Sequence, residues 1–413
     1  MNNAKQFLED LQGLLVYLKH KNGTAPSLEQ LLDKQIKEPE LFKTIFDEYS
    51  KNHNDELKHF FEGRQKRIQD VIKSSLFEIY HQYETIDKNG AEEEFEEALK
   101  NTAEYYEDLV LKLPTKYQEL ASFSTTSHLL NEIMEAASIA GYKIPIQPII
   151  GTISNNSINA GAFTLENGEP IIIVDEDFLS FIHLFSKIFV QCLPMSNAEE
   201  IDTLITRKDE IIQTIKNNPE ITNHFKDFIK ASIEGSPRKA KPYLLPKDTK
   251  YIFCTYLMVS AELFMIGHEV GQILKHHNNS KLKFWYFSKE CTSTYDEERH
   301  EREFEADKIG VHLAMQAMAK NGFQADFCYL GIECFFIVND IALKAKKLTE
   351  KGHEEIANDF KTHPSNQLRR EKIRTELREI IPPEDFPNAI YLPDIIDEIM
   401  GYLWESSKDA FIK

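Results

Sequence analysis

The sequence of 413 residues predicts an α+β fold that is predominantly helical. Three observations carry this. Apolar residues recur at spacings of three, four and seven over long stretches, the period of a helix with one buried face. Two β-favouring runs, Ala160–Leu165 and Pro170–Val174, flank Glu166-Asn167-Gly168-Glu169 and read as a hairpin. No internal repeat or low-complexity tract points to a solenoid or a fibre.

Composition narrows the function. Hydrophobic residues make up 42% and charged residues 28%, which suits a globular protein with a real core. A net charge of −19 without any basic block argues against a nucleic-acid backbone or an anionic membrane surface as partner. Cys192, Cys254, Cys291, Cys328 and Cys334 are odd in number and form no C-x-x-C, so reduced thiols in a cytoplasmic protein are expected. The N-terminal stretch has acidic residues before its short apolar run and does not read as a signal peptide. Tyr251–Gly267 approaches the length of a membrane span but carries Glu262. It reads as a buried core helix, and no integral span is expected.

In chain order, residues 1–120 are expected to be a helical N-terminal region. Phe61, Ile68, Ile72, Leu76, Ile79, Tyr83 and Ile86 give one apolar stripe there. The acidic run Glu92–Glu97 is a solvated helix face. A soft boundary falls between 112 and 125, and residues 121–413 form the second unit. A helix over 126–141 ends at Gly141, Pro148–Ser154 is a strand candidate, and the hairpin follows. Asp177–Cys192 is helical. Residues 193–246 are polar and read as a helical insertion. A helix from about 249 runs to about His277, then a connection with aromatics at 283–287. Further helices cover Glu298–Lys320, Asp326–Lys347, a basic stretch from Thr362 to about Glu379, and Asp394–Trp404.

The chemistry centres on His268-Glu269-Val270-Gly271-Gln272, one residue short of H-E-x-x-H. In that pattern two histidines one turn apart grip a zinc ion, and the glutamate acts as base toward its water. Glu303 and Asp307 follow on a later helix, four apart and so on one face. A carboxylate from a second helix suits a third zinc ligand, the part for Glu303. Asp307 can accept a hydrogen bond from a ligating imidazole. Thr362-His363-Pro364-Ser365 comes next, with Arg369 one turn on. A histidine there can steady an oxyanion or cap an empty coordination position. Plainer readings stand beside these. Alone, His268 is a core histidine, Glu303 a surface carboxylate, and Thr362 or Ser365 a helix cap. The pair His276-His277 suits a helix C-terminus.

The three pieces HEVGQ, EFEADKIG and THPSNQLR, in that order, resemble the gluzincin metallopeptidases. The likeness is to the group containing CAAX prenyl proteases, HtpX-like and BepA-like peptidases, and it covers roughly residues 126–380. It implies a gluzincin-type domain over 121–413, with an insertion at about 193–246 and a small sheet over the active-site helix. It implies zinc held by His268 and Glu303, with Glu269 as general base and His363 as accessory catalytic residue. Asp307 and Arg369 would support these from behind. Asn159, Ala160 and Phe163 would belong to the substrate edge strand. The implied activity is zinc-dependent hydrolysis of an internal bond in a protein or peptide.

Gln272 departs from the pattern, standing where the family has its second zinc histidine. Its amide is neutral and a poorer donor than imidazole. His276 lies about 12 Å from His268 along the helix axis, too far to share one ion. His363 could complete the set instead. Three readings stay open at this point. Zinc is held through Gln272 or His363 and the protein is active; or the protein is a pseudopeptidase that binds a peptide or partner; or the glutamine was introduced in place of a histidine.

Overall fold

The computed structural model describes residues 3–23, scattered positions between 44 and 73, and residues 92–412 apart from 155–157, 166, 199–200, 246–248, 277–296, 324 and 355–363. In chain order the elements are α1 (Asn3–Asn22), α2 (Glu92–Lys112), α3 (Leu120–Ile139), β1 (Ile149–Ile153), β2 (Ala160–Thr164), β3 (Pro170–Asp175), α4 (Glu176–Cys192), β4 (Met195–Ala198) and β5 (Ile201–Leu204). They continue with α5 (Lys208–Asn217), α6 (Pro219–Ile233), α7 (Thr249–His276), α8 (Glu297–Lys320), α9 (Ala325–Lys351), α10 (Asn366–Ile380) and α11 (Phe386–Glu405). The fold is α+β and mainly helical, as expected.

β3 sits at the centre of a three-stranded sheet, in the order β1-β3-β2. β1 runs parallel to it and β2 antiparallel. β2 and β3 are the expected hairpin, turned at Gly168, whose φ of 84° suits a residue without a Cβ. β3, with sequence PIIIVD, is buried at every position. An apolar strand without alternation needs cover on both faces. Ile171 and Ile173 face one side, with Phe163 and Ile153. Ile172 and Val174 face the other, with Ile150, Ala160 and Ala162.

The first face is covered by α1. Leu8 packs so closely on Gly151 that an added Cβ would sit 2.5 Å from a Leu8 methyl. Phe7 meets Phe163 edge to face at 5.5 Å, and the Ala4 amide donates to Glu169 Oε2 at 2.9 Å. The start of the chain is thus a layer of the fold, not only a region that precedes it. The outer edge of β1 is closed by two amide side chains. Gln12 Nε2 donates to the Thr152 carbonyl at 2.6 Å, and the Thr152 N–H donates to Gln118 Oε1 at 3.0 Å. Such capping blunts an exposed sheet edge.

The second face packs on helices. Asp175 ends β3 and caps α4, accepting from the Asp177 N–H at 2.7 Å. α7 is the central helix and packs against α3, α4, α8, α9 and β2. Among the described residues only α7 is long and apolar enough to cross a membrane, and 67% of its apolar window is buried inside the protein. An all-round apolar helix of this kind belongs in a core.

Some expectations shift. Residues 193–246 hold the β4–β5 hairpin as well as helices, and they are no polar excursion. Ile211, Ile215, Ile221, Phe225, Phe228 and Ile229 enter the main core. α3 starts at Leu120, with Glu119 accepting from the Ser122 N–H. α11 starts eight residues earlier than expected and carries Pro393 inside it. Of the N-terminal stripe, Phe61, Ile68 and Ile72 pack against the cores, whereas Leu76, Ile79, Tyr83 and Ile86 lie outside the described residues, as does 283–287.

Candidate active site

α7 and α8 cross at backbone contact. A Cβ added to Gly267 would lie 2.9 Å from the Gly310 carbonyl, and one added to Gly271 would lie 2.9 Å from the Ala306 carbonyl. One added to Gly310 would meet the His268 nitrogen at 2.8 Å. Small residues on both helices let the backbones touch, which brings Glu303 and Asp307 against His268. α10 closes the third side. Ser365 caps it, accepting from the Leu368 N–H at 3.1 Å. Arg370 and Arg374 both reach the fully buried Glu333 of α9, which fixes the helix and leaves Arg369 turned toward α8.

The structure brings together His268, Glu269, Gln272, Glu303, Asp307 and Arg369. The first five are each no more than 7% exposed. His268 Nδ1 lies 2.8 Å from Asp307 Oδ1. Arg369 grips Asp307 with two bonds, of 2.7 Å from Nε and 2.6 Å from a terminal nitrogen. Its guanidinium lies 4.9 Å from the Phe336 ring centre. Glu303 Oε2 stands 3.6 Å from His268 Nε2. Gln272 Nε2 donates to Glu303 Oε1 at 3.1 Å and lies 3.4 Å from His268 Nε2. His363 lies outside the described residues.

Charge in this site is far from ordinary. Burial alone would raise the pKa of Asp307, but the Arg369 ion pair and the His268 contact hold it below the usual range. Burial works against a charge on His268, yet the bond to Asp307 and the charges of Asp307, Glu303 and Glu269 outweigh it and raise its pKa. Glu269 is pushed up to about 7, first by burial and then by Glu303, against the pull of His268, Arg369 and the Ala162 N–H. Its Oε2 has no hydrogen-bond partner among the described residues.

The hydrogen bond from Ala162 ties the sheet to the site. Asp175 donates to the Asn159 carbonyl, and Leu165 to that of Glu169, each at 2.9 Å. In an antiparallel pair this phase turns the backbone groups of 159, 161, 163 and 165 toward β3, and those of 160, 162 and 164 outward. The outward edge of β2 therefore faces α7 at Glu269. Ala160 belongs to that edge, and Asn159 Oδ1 accepts from its N–H at 2.9 Å. Phe163 does not reach the site. Its backbone pairs with β3 and its ring packs on Phe7, because the strand period puts it on the α1 side. Ala162 takes the place expected of it, and the two-residue period was the signal.

Zinc is the ion that the resemblance implies, and the donors can be tested against it. Two donors about 2.1 Å from one zinc stand roughly 3.4 Å apart at the tetrahedral angle. His268 Nε2 and Glu303 Oε2 meet that spacing. The third position fails, because Gln272 turns its NH2 inward and an amide nitrogen offers hydrogens, not a lone pair. Among the described residues no three His, Cys, Asp or Glu side chains are grouped to hold a metal. Among the described residues the set does not complete a zinc site. Compared with models of protein families, with curated proteins and with solved structures, the chain matches none.

Proposed function

We propose that the chain is built on a gluzincin-type peptidase scaffold and holds an extended polypeptide along the outer edge of β2 without hydrolysing it. The observation that carries this is the placement of the outward edge of β2 over Glu269, beside His268, Glu303 and Asp307. A strand edge recognises extended peptides through main-chain hydrogen bonds. Buried free thiols at Cys192, Cys254, Cys328 and Cys334 suit a reducing compartment such as the cytoplasm. A library of extended peptides, followed by fluorescence anisotropy, tests the reading. Ala162→Pro removes the outward N–H, which a bound strand would take over from Glu269, without cutting the β2–β3 ladder, and it should abolish binding in a variant whose circular dichroism is unchanged. A library without a single binder, or binding untouched by Ala162→Pro, would sink the proposal.

A second reading, a zinc endopeptidase, is favoured by the spacing of His268 Nε2 and Glu303 Oε2 and by the unbonded oxygen of Glu269. It requires a donor other than the Gln272 nitrogen, and His363 is the candidate. Cleavage of the same library, abolished by a chelator and by Glu269→Gln, would establish it over the first reading.

A further inference from the structure

We infer that the Gln272 amide takes the place of a metal ion in this site and makes the site independent of metal. Gln272 Nε2 carries two N–H bonds. One meets Glu303 Oε1 at 3.1 Å and the other faces His268 Nε2 at 3.4 Å. Glu303 and His268 are the two side chains that a bound dication would draw together. In the neutral form that metal binding requires, with Nδ1–H engaged by Asp307, the ring keeps its lone pair on Nε2, on the side where the amide lies. One side chain, a single turn along α7 from His268, thus serves both.

The consequence is a continuous run of hydrogen bonds, Arg369 to Asp307 to His268 to Gln272 to Glu303, across α10, α8 and α7. Emptying a metal site leaves its ligands buried and facing one another. A buried acceptor without a donor is costly, so such sites loosen when the metal leaves. Here the donors are part of the chain and cannot leave. A metal entering would have to displace the amide from His268 Nε2, and it would meet N–H hydrogens where it needs a lone pair. The inference rests on three side chains and not on the peptide-holding reading, so each can fail without the other.

The test is a series at position 272, read by metal content and thermal melting of the full chain. The wild type, purified without chelator and dialysed against zinc, should hold less than about a tenth of an equivalent, with a Tm unmoved by zinc or EDTA. Gln272→His should bind about one zinc per chain, with a Tm that rises on zinc and falls on EDTA. Its cobalt form should show the visible bands of a tetrahedral ion. Gln272→Glu sets two carboxylates face to face, so it should melt below the wild type without metal and recover with zinc. It serves where the histidine variant fails to fold. Gln272→Asn, too short to reach either acceptor, should lose Tm and not regain it with zinc. Stoichiometric zinc in the wild type overturns the inference. So does a series in which neither the His nor the Glu variant gains a zinc response. Peptide anisotropy on the same samples reads the functional proposal separately.

Discussion

At the scale of single residues, the site is decided by which buried charges have partners. Asp307 is 1% exposed and carries a charge because Arg369, which grips it with two bonds, and His268 hold it ionised. Glu262 contrasts with it. It is 3% exposed on α7, two turns before Glu269, and burial pushes its pKa from 4.5 up to about 8. The folded-state pKa lies above the unfolded one, so the native state holds the extra proton. The penalty is absent below pH 4.5, grows as pH rises toward 8, and then levels off. At ~1.4 kcal/mol per pKa unit it reaches about 5 kcal/mol, an order of magnitude more than a surface carboxylate would cost. Glu262→Gln should therefore leave stability at pH 4.5 little changed and raise it at pH 8.5. Urea denaturation at the two values measures this. The slope should shrink and not vanish, because Glu269, pushed up to about 7, titrates in the same window. A variant with the full wild-type slope would show that Glu262 is not its source.

At the scale of elements, the α7–α8 crossing sets the geometry. Gly271→Ala places a Cβ 2.9 Å from the Ala306 carbonyl, a backbone atom that cannot swing aside. Overpacking of this kind costs about 1–3 kcal/mol. It should also push Asp307 away from His268, so the His268 imidazole nitrogens should shift in the NMR spectrum. Gly161→Ala is the control, since nothing lies within 4 Å of its added Cβ. Equal behaviour of the two variants would mean that the helices are not in contact at Gly271. Much at this scale was legible beforehand. Helical period alone puts Glu303 and Asp307 on one face, and Asn-Gly between two β-favouring runs marks the hairpin. The β4–β5 hairpin was not, because MSNAEEIDTL has no apolar alternation to announce a strand. The meaning of Gly267 and Gly271 was hidden too. Two small residues four apart mark a close crossing only once Gly310 of the partner helix is known. Gln272 was legible as a departure, but the direction of its amide depends on where Glu303 stands.

At the scale of the whole molecule, the sheet is asymmetric. Gln12 and Gln118 close the β1 edge, whereas β2 presents its edge to α7. α1 then seals the far face over Ile171, Ile173 and Phe163. The sequence held one sign of this third layer: a strand reading PIIIV is apolar on both faces and needs two covers. The docking of α1 can be tested through Leu8 and Gly151. Leu8→Ala deletes a fully buried side chain and should cost about 2–5 kcal/mol. Gly151→Ala drives a Cβ to 2.5 Å from a Leu8 methyl and should cost about 1–3 kcal/mol. Together the two changes relieve each other, because the new methyl fills space that the leucine vacates. The double variant should therefore be more stable than the sum of the single losses by about 1 kcal/mol or more, the coupling expected of residues in contact. Chemical denaturation of the four proteins completes the cycle. Strict additivity would mean that α1 does not lie on β1 in solution, and the sheet would then need another cover for Ile171 and Ile173.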